Sequence, residues 1–158
     1  MALENIIKTI ITQIGSIVKI DYIDVRDISA IALPNQLNQV PASGVVLFAG
    51  KSWKNLEMLN NCKLILDEEN TNQGDLYSVG ISGSSMLEPT EAAKLSRLLR
   101  ARVALKITDG NGINYLVGNK TEFLKFSFKT DTGESRSVAK LVEITCKGNL
   151  TNGLIQLI

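Results

Sequence analysis

Apolar and polar residues alternate with period two through most of this chain, and with the period of a helix in two places. Leu3, Ile6, Ile7, Ile10, Ile11 and Ile14 follow i, i+3, i+4, i+7 spacing, and Glu4, Asn5, Lys8, Thr9, Thr12 and Gln13 fill the other side. The spacing predicts an amphipathic helix over residues 1–15 that stops at Gly15. β-Branched isoleucines are weak helix formers, so this arm depends on what its stripe packs against: the chain's own core or a neighbouring subunit. The second helical pattern follows Pro89, a residue suited to a first turn. Ala92, Leu95, Leu98 and Leu99 form its apolar side, with Lys94, Arg97 and Arg100 opposite. Arg102 would fall inside the leucine stripe, so the helix is expected to end near Ala101.

The remaining pattern is strand. Val18, Ile20 and Tyr22 share one parity and Ile23 and Val25 the other, which predicts a bulge or bend near Tyr22. Ala32 to Ser43, with Pro34 and Pro41, reads as a loop that covers a surface or reaches a partner. GVVLFAG reads as a short buried strand, KSWKNLEML carries the only tryptophan, and CKLIL is a further strand. Asp67-Glu68-Glu69 and the following NTNQGD read as an acidic turn. Tyr77, Val79 and Ile81 alternate with Ser78, Gly80 and Ser82, and Val103, Leu105 and Ile107 make the strand after the helix. Asp109-Gly110-Asn111-Gly112 is a hairpin signal, answered by Tyr115 and Val117. Leu124, Phe126 and Phe128 precede a DTGES turn, Val142, Ile144 and Cys146 form another strand, and Leu154 to Ile158 a last one after Asn152-Gly153. The stretch from Gly74 to Thr130 has the clearest periodicity, and the rest reads as packing around it. Strands joined mostly by hairpins predict a mainly β (α+β) protein: an antiparallel β-sandwich or barrel with a flanking helix and the N-terminal helix. No linker or repeat divides the 158 residues, so a single structural β domain over 1–158 is expected, with 1–15 as its arm.

Composition narrows the chemistry. Hydrophobic content is 44%, charged content 21% and net charge +1, an ordinary globular balance with no global pull toward nucleic acid or anionic membrane. There is no histidine, which removes Ser-His-Asp and Cys-His mechanisms within one chain. Cys62 and Cys146 sit in apolar runs and read as buried free thiols; two such residues do not make a structural zinc site. Asp21, Asp24 and Asp27 invite a metal reading, but a strand turns Asp24 away from the other two, and solvated carboxylates are expected. No cofactor is expected. No apolar run approaches a membrane span and the start lacks a signal-peptide pattern, which fits a reducing, intracellular origin.

One motif tempts a catalytic reading. SGSSMLEPT, Ser82 to Thr90, is similar to the Ser-Met-x-Pro box of signal peptidases and self-cleaving repressor-type proteases. That similarity implies Ser85 as nucleophile with Lys106, Lys120 or Lys125 as base. Leu87 and Glu88 put one residue too many before Pro89, and a helix follows where those families continue as strand. A turn that caps the helix, with Ser85 and Glu88 as a capping box, is the reading adopted. A second alternative is a single-stranded nucleic-acid-binding β-barrel using Lys94, Arg97 and Arg100 with Tyr115, Phe123 or Phe126 as stacking rings. Only 5% aromatic content and a near-neutral charge make that signal weak.

The order of segments carries a resemblance. YIDVRDISAI, then GKSWKNL, then an acidic turn with GDLYSVGISG, then RARVALKITDGNGINYLVGNKTEFLKFSFKTDTGE and EITCKGN, is similar to small virion proteins of tailed phages and prophages of Bacteroidetes. The likeness runs from about Val18 to Gly148. It implies a structural part of the tail, neck or head–tail connector, made in the bacterial cytoplasm, found in the virion, and without enzyme activity. The partners it implies are further copies of the chain in a homo-oligomeric ring, other virion proteins, and DNA passing through a lumen, with no membrane. Candidate contacts are Leu3, Ile7, Ile10 and Ile14 on the arm, Pro34 and Pro41 in the loop, Arg97 and Arg100 on the helix, and Asn111 at the hairpin tip.

Overall fold

The structure is a computed structural model that describes residues 17–58, 62–72, 74–86, 92–131 and 141–158. The expected helix over Leu3–Ile14, the Glu88 half of the capping box and most of the DTGES turn lie outside them.

Strand β1 (Ile17–Asp24) and strand β8 (Val103–Asp109) form the longest ladder of a six-stranded sheet. Its order is β3 (Gln39–Val40), β12 (Ile155–Leu157), β9 (Asn114–Val117), β8, β1 and β5 (Lys54–Asn55). A four-stranded sheet follows the order β10 (Lys125–Asp131), β11 (Leu141–Leu150), β7 (Gly74–Met86) and β6 (Lys63–Thr71), antiparallel throughout. A third, two-stranded sheet pairs β2 (Ile28–Ile31) with β4 (Val45–Leu47). The architecture is therefore mainly β and sandwich-like, and not a closed barrel.

Period-two alternation fills the space between the two larger sheets. Ile20, Val103, Leu105, Ile107 and Val117 from one sheet meet Val79, Ile81, Phe126, Val142, Ile144, Cys146 and Leu150 from the other. The helix α1 (Ala92–Leu98) flanks this core, and Leu98 and Ala101 pack against it. Leu99, expected on the apolar side, sits in the turn after the helix and is half exposed.

The central sheet is buried on its second face as well. Ile23 and Ala104 point away from the main core into a cluster with Val25, Ile28 and Leu47. Val40, Leu116 and Ile155 continue that face, and Trp53 and Ile31 touch both clusters. This double burial corrects the bulge expected near Tyr22. The ladder from Lys19 to Asp24 is unbroken, and the irregularity lies between Ile17 and Lys19. Two parities are apolar because both faces are covered.

Three other expectations change. The acidic triplet Asp67–Glu69 is not a turn: it runs inside β6, paired with Ser78, Tyr77 and Leu76. GVVLFAG does hold a short strand, β4, but it is not fully buried: Val45 and Leu47 are partly buried, while Val46 and Phe48 are about half exposed. The Ala32–Ser43 segment is not all loop. Within it β3 pairs in parallel with β12, the one departure from antiparallel pairing among the described strands.

Candidate functional site

Ser85 lies in β7, opposite Val142 of β11, seven residues before Ala92 of α1. It is therefore strand rather than helix cap, which corrects that reading. Its parity is that of the inward-facing Val79 and Ile81; it is buried, and its hydroxyl donates to the Glu57 carbonyl at 3.0 Å. The three candidate lysines are engaged elsewhere. Lys106 faces the second side of the six-stranded sheet, 3.4 Å from Asp21 and over the Trp53 ring. Lys120 donates to the Ser29 carbonyl at 3.1 Å. Lys125 stands on the exposed side of β10, against the Phe123 ring. A nucleophile needs its base within hydrogen-bond reach, and this arrangement supplies none of the three to Ser85.

The aspartates go to separate structural tasks. Asp24 caps the short 3-10 turn Val25–Asp27 by accepting from the Arg26 N–H at 2.9 Å, and pairs with the Arg26 guanidinium at 2.7 Å. Hydrogen bonding from Arg26 outweighs burial and holds the Asp24 carboxyl below the usual range. Asp27 pairs with Lys51. Asp21 is not solvated as expected. It is 4% exposed, and its carboxylate meets Lys19 at 3.0 Å, Asn55 at 3.3 Å and Lys106. Burial pushes its pKa up, but the hydrogen bonds from Lys19 and Asn55 and the charges of Lys106 and Lys19 together bring it below the ordinary value. Among the described residues no cluster of acidic, cysteine or histidine side chains is placed to hold a metal ion. Cys62 and Cys146 are free thiols, and burial raises them to about 11 and about 12.

The stacking rings separate too. Phe126 is 4% exposed and packs edge-on against Tyr22 and parallel to Phe128, so it is core. Phe123 lies between Arg102 and Lys125, and Tyr115 is half-buried on β9. Lys94, Arg97 and Arg100 are exposed on and just after α1. At the hairpin tip, Asp109 Oδ1 accepts from the N–H groups of Asn111 and Ile113, Gly112 takes φ +79°, and Asn111 is exposed. Pro41 is exposed at the start of the 3-10 turn Ala42–Gly44. Pro34, with Ile31, Leu33, Lys120 and Ile155, lines a notch of about 210 Å³ beside the outward-pointing Leu33 and Leu37. The arm positions Leu3, Ile7, Ile10 and Ile14 lie outside the described residues.

The four-stranded sheet offers a feature that the sequence did not single out: its two free edges. Among the described residues no strand pairs with the outer side of β6 or of β10. Successive antiparallel pairings make these two edge strands run in opposite directions. The outward face between them is polar and small, with Ser127, Glu143, Thr145, Ser82 and Lys63 across its width, over a shallow hollow of about 410 Å³. Residues 67–69 of β6 are Asp-Glu-Glu, while β10 presents exposed Lys125 and Lys129. The signal was the acidic triplet itself, which reads as a loop unless the strand is known to run through it.

No helix among the described residues is long and apolar enough to cross a membrane. Comparison of the chain with family models, with curated proteins and with solved structures gives no match.

Proposed function

We propose that this chain is a phage virion structural protein, a ring- or tube-forming subunit of the tail or head–tail connector that acts by geometry and carries no enzyme activity. The observation that carries the reading is the pair of oppositely directed free edges on one four-stranded sheet. An exposed strand edge is a template for pairing with another chain. Because the two edges run in opposite directions, a second copy related by rotation about an axis along the strands brings its β10 antiparallel to the first copy's β6. Such a contact is heterologous, and repeated heterologous contacts close into rings or continue as filaments. The segment resemblance to tailed-phage virion proteins supplies the biological setting, and the virion is the proposed location. Partners would be other copies of the chain and neighbouring virion layers.

The experiment is sedimentation velocity over a wide range of protein concentration, paired with negative-stain microscopy. Rings or short tubes of repeated subunits are expected. A monomer at every concentration, up to about the millimolar range that weak contacts require, overturns the reading.

A further inference from the structure

We infer that β6 of one copy pairs with β10 of the next in one register, with Glu69 opposite Lys125 and Leu66 opposite Phe128; this rests on the ring-forming reading above. Within the sheet, Leu64, Ile81, Cys146 and Phe126 lie in one row, so the core-facing positions are the even-numbered residues of both edge strands. A one-residue slip turns every side chain to the wrong face. Only registers that set even positions against even ones therefore continue the core face from copy to copy.

Among those, charge selects. Setting Glu69 opposite Lys125 places Asp67 opposite Ser127 and diagonal to Lys129. Cross-strand pairs of opposite charge stabilise an antiparallel sheet, and diagonal neighbours are within reach of long side chains. The same register sets Leu66, 39% exposed on the core-facing side of β6, against Phe128, which is also only partly buried. It thus covers apolar surface that one copy leaves open. A slip of two residues in one direction keeps a direct charge pair, Asp67 with Lys129, but moves Leu66 off Phe128; in the other direction it sets Lys63 opposite Lys129.

The register also has the stagger that closed sheets need. Phe126, level with Leu64 inside one copy, moves level with Glu68 of the neighbour, a shift of four residues over four strands. One residue per strand is the ratio at which barrel strands tilt by about 36°. Charges on an edge strand ordinarily block pairing. Here the acidic stretch of one edge opposes the basic edge and disfavours contact between two copies of itself, which gives direction as well as affinity.

Glu69→Lys and Lys125→Glu, made singly in the full chain, test the register by sedimentation velocity. Both residues are exposed, so the fold is expected to persist, with the far-ultraviolet circular dichroism unchanged. Each single reversal sets like charges together and is expected to weaken association on the order of tenfold. The double variant recovers it. An equimolar mixture of the two singles recovers it also, because each then meets the opposite charge on its neighbour. A second measurement does not rely on charge. Asp67→Cys with Ser127→Cys brings two sulfurs into disulfide range across the contact, and mild oxidation should give a ladder of cross-linked multimers. Wild-type assembly with singles that assemble equally well and no ladder overturns the register while leaving the ring reading standing. Loss on one single with none on the other shows that Glu69 and Lys125 do not face each other and overturns it too. A wild type that never assembles removes both.

Discussion

Asp21 on β1 and Lys106 on β8 are direct cross-strand partners, and their charged atoms lie 3.4 Å apart on the second face of the central sheet. The Lys106 ammonium also stands 5.4 Å from the centre of the Trp53 ring. Two β-strands and the segment that roofs them are thereby tied through one buried carboxylate. Asp21→Asn keeps the shape and removes the charge, and is expected to destabilise the protein by about 1–3 kcal/mol. The lower half of that range is favoured because Lys19 is about half exposed and water replaces part of its attraction. The pKa of Asp21 is depressed in the fold, so its contribution is complete above the unfolded carboxyl value of about 4 and is lost as pH falls through the lower folded value. Denaturant titrations from pH 7 to pH 2 should show the wild type and Asp21→Asn far apart at neutrality and converging in acid. A constant gap across that range would reject this account.

This same neighbourhood shows why part of the fold was legible and part was not. The hairpin at Asp109–Gly112 announces itself because its turn chemistry is local: an aspartate that accepts two backbone N–H groups and a glycine at positive φ. The strand at Tyr22 misleads because alternation assumes one buried face, and β1 has two. The triplet Asp67–Glu69 reads as a turn because polarity on both faces is the mark of a loop. That end of β6 is held by the β7 ladder instead, with its side chains left in water. Ser85 resembles a cap since SGSS has no apolar period; pairing with β11 carries β7 through it. The free edges could not be read at all, because an edge is defined by which strand is absent beside it.

Leu124 sits fully buried between two glycines that have no room for a side chain. A Cβ on Gly148 would lie 2.8 Å from the Phe123 carbonyl oxygen and 3.2 Å from the Leu124 Cα, both backbone-fixed. On Gly118, at φ +90°, it would meet the Glu122 carbonyl at 3.1 Å as well as a Leu124 methyl at 2.9 Å. Gly148→Ala should cost about 1–3 kcal/mol through crowding. Gly118→Ala should cost a similar amount, with backbone strain added to the contact. Leu124 is held to Val103 of β8 by backbone hydrogen bonds in both directions, at 2.9 and 3.0 Å. Thermal unfolding of both variants checks these costs, and a wild-type melting point for either would show that this bridge yields easily.

The two thiols should be silent in the native state. Burial raises Cys146 to about 12 and Cys62 to about 11, so at pH 8 about one molecule in a thousand or fewer presents a thiolate at either site. Ellman's reagent is expected to show no fast phase with native protein and two equivalents after unfolding in guanidinium. A fast native equivalent would mean that the sheet opens at Cys62, the less buried of the two.

Asn38 fastens the last strand to the body. Its Nδ2 donates to the carbonyls of Asn152 and Leu154, each at 2.7 Å, while its own backbone is held at φ +56°. Asparagine tolerates that left-handed conformation better than most residues, and its amide can supply both bonds at once. Two substitutions separate these roles. Asn38→Ala loses the bonds and keeps the strain, and is expected to cost about 2–3 kcal/mol. Asn38→Gly loses the bonds but relieves the strain, and should cost about 1 kcal/mol less than alanine. In both, amide exchange should quicken first along Ile155–Leu157 and Gln39–Val40, the parallel pair that Asn38 adjoins, while the β8 ladder stays protected. Equal stability for the alanine and glycine variants would show that the left-handed backbone at this position carries no strain.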